Sequence, residues 1–183
     1  MTSILTWGLL VFLSFLPPLI YTIWIRNTER CHRQQWLSIF LCFLWGATIA
    51  VIAALILEIV LEMPLQYSFS SGDIRPFLLA IVIAPVVEEF TKPLALRLRS
   101  VKNQLSELED GLIYGAVAGL GFSATENLLY GYSFLSEGFV IFLALMAMRS
   151  FGGCLLHASA TALTGYGFGK TVMKQSSFLG VLP

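Results

Sequence analysis

Along this chain the charged residues gather in short clusters, and between them lie apolar runs long enough to cross a bilayer. Such runs fall at 3–25, 36–60, 76–96 and 111–134, and a further apolar stretch extends from 139 to 172. About 20 residues of helix span the hydrocarbon core, so the first four runs each predict one crossing. The fifth is too long. At 1.5 Å per residue it would reach roughly 48 Å, and the Ser-Phe-Gly-Gly sequence at 150–153 is where a break is expected. Residues 139–149 then form an interfacial or oblique segment ahead of a span at 151–172. Pro17 and Pro18 predict a kink in the first span. The expected fold is all-α, a polytopic transmembrane helix bundle with about five spans and a broken or interfacial helix before the last. A single transmembrane domain is expected over 1–183. The last residues, SSFLGVLP, turn apolar again and leave room for a further span.

Composition agrees with the pattern. Of 183 residues, 57% are hydrophobic and only 12% charged, which no soluble domain of this size requires. The formal net charge is zero, so there is no basic field that would attract nucleic acid. Basic residues are nonetheless unevenly placed. Arg26, Arg30 and Arg33 follow the first run, Arg97, Arg99 and Lys102 follow the third, and Lys170 and Lys174 close the last. The positive-inside rule makes these segments cytoplasmic, with the N-terminus outside a cell membrane that the chain crosses repeatedly. No Lys or Arg precedes the run from Ile4 to Ile25 and no small-residue cleavage site ends it, so it reads as a retained span. Cys31, Cys42 and Cys154 have no framework spacing and read as free thiols.

Six ionisable residues fall within the spans: Glu88, Glu89, Lys92, Glu126, Arg149 and His157. Charge in the membrane interior is costly, and residues that persist there are functional candidates whose partners must be found. In APVVEEFTKP, Lys92 stands one turn from both Glu88 and Glu89, and one ammonium cannot neutralise two carboxylates. In EDGLIYGAVAGLGFSATENLLY, Asp110 is the expected N-cap. Gly111, Gly115 and Gly119 recur every fourth residue as a close-approach stripe, and Glu126 continues that face with Asn127 at its edge. Gly153, His157, Thr161 and Gly165 form a second such face. Glu58 and Lys170 lie at span ends and read as boundary residues, and His32 as a surface residue of its charged loop.

Carboxylates on two helices, an amide and an imidazole can together activate a water against an amide bond. Two routes are open at this point: Zn²⁺ held by Glu88, Glu126 and His157 with a bound water, or a glutamate acting on water directly. The soluble zinc-protease motif HExxH is absent.

The run Glu88 to Lys92, the segment Asp110 to Asn127 and the Arg149 and His157 segment together resemble the PrsW family of intramembrane metalloproteases. The order EExxK, FxxxEN, His is also similar to the related type II CAAX prenyl endopeptidases, where a His occupies the position of Glu126. The resemblance covers 76–170, and FxxxEN is its specific part. Leu108 departs from the proline that many relatives carry there. The resemblance implies an endopeptidase that cleaves a single-span membrane protein, such as an anti-sigma factor, within the lipid bilayer. It also implies an active centre of Glu88, Glu89, Glu126 and His157. On this reading Glu88 activates the water, Glu126 and His157 bind the metal or polarise the scissile carbonyl, and Glu89 pairs with Lys92. Asn127 and Arg149 assist.

The competing class is a proton- or cation-coupled transporter, in which buried carboxylates and a histidine form a relay through the whole membrane. Here they gather in one layer. Reconstituted liposomes are therefore expected to show no proton or cation flux above protein-free controls, and a specific flux abolished by Glu126→Gln would favour the transporter.

Overall fold

The computed structural model describes residues 4–29, 33–68 and 74–179. Arg30, Cys31, His32 and Asp73 lie outside them, as do residues 180–183. Among the described residues all regular structure is helical: α1 (Ile4–Thr28), α2 (Trp36–Trp45), α3 (Val51–Ser68), α4 (Ile74–Leu78), α5 (Ala84–Thr91), α6 (Arg99–Lys102), α7 (Leu108–Ser133), α8 (Phe139–Met148) and α9 (Cys154–Leu179). Three five-residue π-helical turns, Gly46–Ala50, Leu79–Ile83 and Arg149–Gly153, join α2 to α3, α4 to α5 and α8 to α9 without interrupting the rod. After α5 the chain tightens into a 3₁₀ helix at Lys92–Arg97. Pro93 has no N–H to give the carbonyl four residues back, so the α-helical ladder ends there.

The chain is thus a polytopic helix bundle, and among the described residues three helices are by themselves long and apolar enough to cross a membrane: Ile4–Thr28, Trp36–Leu65 and Phe139–Thr171. The expected spans at 76–96 and 111–134 are also helical but carry the polar residues. For α7 the reason is its position. Every residue from Gly115 to Ala124 is buried, because α1, α2, α9 and the 3₁₀ segment surround it. A helix sheathed by protein does not need an apolar outer surface.

Two expectations are corrected. At 150–153 the helix does not break. The glycines there sit in a π turn, which takes up one extra residue and rotates the succeeding positions while the rod continues to Leu179, its apolar part Phe139–Thr171 alone being 33 residues. At about 50 Å this apolar part alone exceeds the hydrocarbon thickness, which tilt or protruding ends accommodate. Secondly, Asp110 is not the N-cap of α7. Glu107 takes that position, and Asp110 at N3 reaches back to the N–H groups of Ser106 and Glu107 at 2.8 and 2.9 Å. Its other oxygen accepts from Gln34 Nε2 at 2.9 Å, which ties the start of α7 to the segment before α2. Leu108 is then N1, where proline is equally at home. α1 continues as helix through Pro17 and Pro18.

The glycine stripes are the contact between α7 and α9. A Cβ on Gly115 would strike the Thr161 carbonyl and one on Gly119 the His157 carbonyl, while a Cβ on Gly165 would lie 2.8 Å from the Gly115 Cα. Gly121 meets Phe43 of α2 in the same manner on the opposite side. The helices approach backbone to backbone, and this sets how far into the bundle the polar residues of α9 reach. Overpacking of a tight contact costs about 1–3 kcal/mol. Gly115→Val is accordingly expected to lower the detergent-phase melting temperature clearly, whereas Gly8→Val, where a Cβ meets nothing within 4 Å, leaves it unchanged. Equal melting of the two variants would contradict this packing.

Candidate active site

Glu88 and Glu89 occupy the last turn of α5, and Lys92 opens the adjoining 3₁₀ segment. Lys92 is fully buried. Its Nζ lies 2.8 Å from Glu88 Oε2, 2.9 Å from Glu89 Oε1 and 2.9 Å from His157 Nδ1. An ammonium has three protons, and here each finds an acceptor. The Phe122 ring, 4.3 Å from Nζ, covers it and also packs against the His157 ring. The expected pairing of Lys92 with Glu89 is therefore part of a larger arrangement in which one cation serves both glutamates and the imidazole.

The two glutamates differ in what else holds them. Glu89 Oε1 also faces Thr161 Oγ1 at 3.2 Å, and Glu89 Oε2 faces Thr164 Oγ1 at 3.1 Å, so both its oxygens are engaged. The Glu88 carboxylate has the bond from Lys92 and stands 3.7 Å from His157 Nδ1. Thr164 escaped the sequence reading, and Thr161 entered it only as a small face residue. The signal was present: they follow His157 by four and seven positions, the spacing of one helix face.

Lysine can only donate, so a charged Lys92 against Nδ1 assigns the His157 proton to Nε2. That nitrogen is 2.7 Å from Glu126 Oε2. The same oxygen accepts from Arg149 Nη2 at 2.5 Å, and Arg149 Nε gives a 2.7 Å bond to Asn127 Oδ1. Tyr130 lies under the guanidinium, 4.2 Å from ring centroid to Cζ. The Asn127 amide and the Ser123 hydroxyl point at Cys154 Sγ, at 3.5 and 3.4 Å. Arg149 and His157 are eight residues apart, which on an uninterrupted α-helix is an offset of about 80°. With one residue absorbed by the π turn the spacing acts as seven, an offset of about 20°, so both side chains meet one carboxylate oxygen.

All seven sequence candidates, Glu88, Glu89, Lys92, Glu126, Asn127, Arg149 and His157, thus join one hydrogen-bonded network across α5, α7 and α9. Three carboxylates face two fixed cations, and the negative charge left over lies with Glu88 and Glu89. The chemistry available is that of a carboxylate base beside an imidazole and a guanidinium donor.

The donor types suit zinc, but their placement does not. Glu88 and Glu126 stand at opposite nitrogens of His157, and the Nδ1 lone pair faces Lys92. Among the described residues no three of His, Cys, Asp and Glu converge as ligands of one ion.

With this geometry in hand, comparison with known proteins gives two matches. The profile described as PrsW family intramembrane metalloprotease matches residues 34–182. The chain is also similar to the Protease PrsW of Clostridioides difficile (strain 630), with 31% identity over 125 residues, 68% of this chain and 51% of that protein. The similarity therefore spans about half the length of the curated relative. No solved structure matches.

Removing one partner of a buried ion pair costs about 3–5 kcal/mol, because the other charge stays buried without compensation. Lys92→Met is expected to destabilise the protein by that order in detergent unfolding, and Glu88→Gln in the same chain should recover part of the loss. An unchanged melting temperature for Lys92→Met would refute the central role of the ammonium.

Proposed function

Since this chain belongs to the PrsW family of intramembrane metalloproteases, we propose that it is an endopeptidase that hydrolyses a peptide bond of a membrane-anchored protein, with Glu88 as the base that activates water. The observation that carries the assignment is the unequal engagement of two adjacent carboxylates. Glu89 is held by Lys92, Thr161 and Thr164, whereas Glu88 keeps an oxygen outside the Lys92 bond. Both are partly exposed rather than sealed within the bundle.

In the proposed reaction Glu88 removes a proton from a water, whose oxygen adds to the scissile carbonyl carbon. Negative charge develops on the carbonyl oxygen. Arg149, with guanidinium protons beyond those given to Glu126 and Asn127, is the donor best suited to receive it. Collapse of the tetrahedral species breaks the C–N bond, and the proton held by Glu88 passes to the leaving nitrogen. Glu126 acts through its partners by fixing the His157 tautomer and holding Arg149 in place. The Lys92 ammonium holds the Glu88 carboxylate in position until water binds.

The substrate class is a single-span membrane protein, of which an anti-sigma factor is one instance. The proposed orientation has the N-terminus outside and the arginine-bearing segments at 26–35 and 97–110 in the cytoplasm. The family description carries a metal, but the ligand geometry of these residues does not supply a single ion site, and the proposed reaction runs on the side chains alone.

The test is cleavage of a reporter membrane substrate by the reconstituted protein. Loss of a general base costs about 10²- to 10⁴-fold, so Glu88→Gln is expected to fall by that factor and Glu89→Gln by much less. Equal losses would reverse or erase the assignment. The same preparation should cleave in the presence of a chelator and carry zinc well below one per chain. Stoichiometric zinc that is lost on Glu126→Gln would overturn the metal-free route.

A further inference from the structure

Hydrolysis in a membrane needs water, and a second feature of the chain bears on how it arrives. A cavity of about 370 Å³ lies between α3 and the rod formed by α4, its π turn and α5. Leu55, Glu58, Ile59 and Glu62 line it from α3, at the spacing of one helix face. Pro76, Ala80 and Ala84 are among the residues opposite, and Ala84 is one turn before Glu88. At its far end Arg75 and Glu62 form an ion pair of 3.7 Å. Between the two ends stands Glu58. Among the described residues its carboxylate has no hydrogen-bond or ion-pair partner, yet it lies close enough to interact electrostatically with Glu88, Glu126 and Lys92.

An ionisable group within a span that no protein group satisfies must be satisfied by water. The cavity has room for about ten water molecules. Among its apolar lining, the wall carries an ion-paired glutamate at one end, Glu58 midway, and the small Ala80 and Ala84 at the end that lies one turn from Glu88. Glu58 is therefore more than a boundary residue.

We infer that the groove between α3 and α4–α5 is the water-access route to Glu88, with Glu58 holding water midway. The inference rests on the hydrolytic reading for its purpose, but the groove can be tested without any substrate. Charged methanethiosulfonates do not enter lipid, and they react with the thiolate, which forms only where water is present. Cysteines are placed singly at Ala80 and Ala84 in the groove and at Ile81 and Val82, which are largely exposed on the same rod. The wild-type chain supplies the baseline for the native thiols, and labelling after denaturation in detergent supplies the total. Applied from the Arg75 side of native membranes, the reagent is expected to modify Ala80→Cys and Ala84→Cys at least about tenfold faster than the two lipid-facing positions. Adding Glu58→Leu to Ala84→Cys should slow the reaction severalfold, and Glu58→Gln should preserve it. Equal rates at all four positions, or no effect of Glu58→Leu, would overturn the inference. Fast labelling at Ala80→Cys and Ala84→Cys without proteolysis of any substrate would support the groove and count against the protease reading, so the two fail separately.

Discussion

The polar residues of the candidate site are arranged around one buried ammonium. Water normally solvates a lysine head group, and in its absence Lys92 needs three acceptors at hydrogen-bond distance from three directions. Glu88 and Glu89 come from the turn before it and His157 from a helix 65 residues further on. If any of the three is misplaced, a charge is left unsolvated in a low-dielectric interior, which is a much larger penalty than an ordinary packing defect. The requirement fixes the relative rotation and depth of α5 and α9. His157, once oriented by Lys92, passes the constraint to Glu126 on α7 and from there to Arg149.

The packing of α7 makes that constraint attainable. The Lys92 bond to His157 closes only if α9 lies against α7 closely enough for the imidazole to pass beyond it, and the absent side chains at Gly115, Gly119 and Gly165 permit this. Close helix approach and the charge network are therefore coupled. A bulkier residue in the stripe would push the histidine away from both of its partners. In lipid, where burial of apolar surface gives helices little reason to associate, such contacts and hydrogen bonds are the main sources of cohesion.

Much of this was legible in the sequence because bilayer and helix impose simple periods. The long apolar runs located the helices, and the cost of charge in lipid singled out six of the seven candidate residues before their contacts were known, Asn127 being marked by its place beside Glu126. The stripes at spacing four marked the faces at which α7 and α9 approach, and the structure shows that they meet each other. What escaped depended on information that periodicity does not hold. Thr164 looks like any small helix residue until Glu89 is placed beside it. The ring nitrogens of His157 face different partners, so a metal set that seemed natural as a collection of donors does not close as a geometry. The break expected at 150–153 followed from length and the paired glycines, and a π turn answers the same strain without ending the helix.

That π turn also decides which kinds of sequence change the last helix can absorb. A side chain at Gly152 would meet nothing within 4 Å, and one at Gly153 would meet only Arg149 at 3.8 Å. Residue identity there is loosely constrained. The count is not, since inserting or deleting a single position between Arg149 and His157 would swing one of them about 100° around the rod, away from Glu126. In variants of this chain, substitutions should accumulate in that stretch while its length stays fixed.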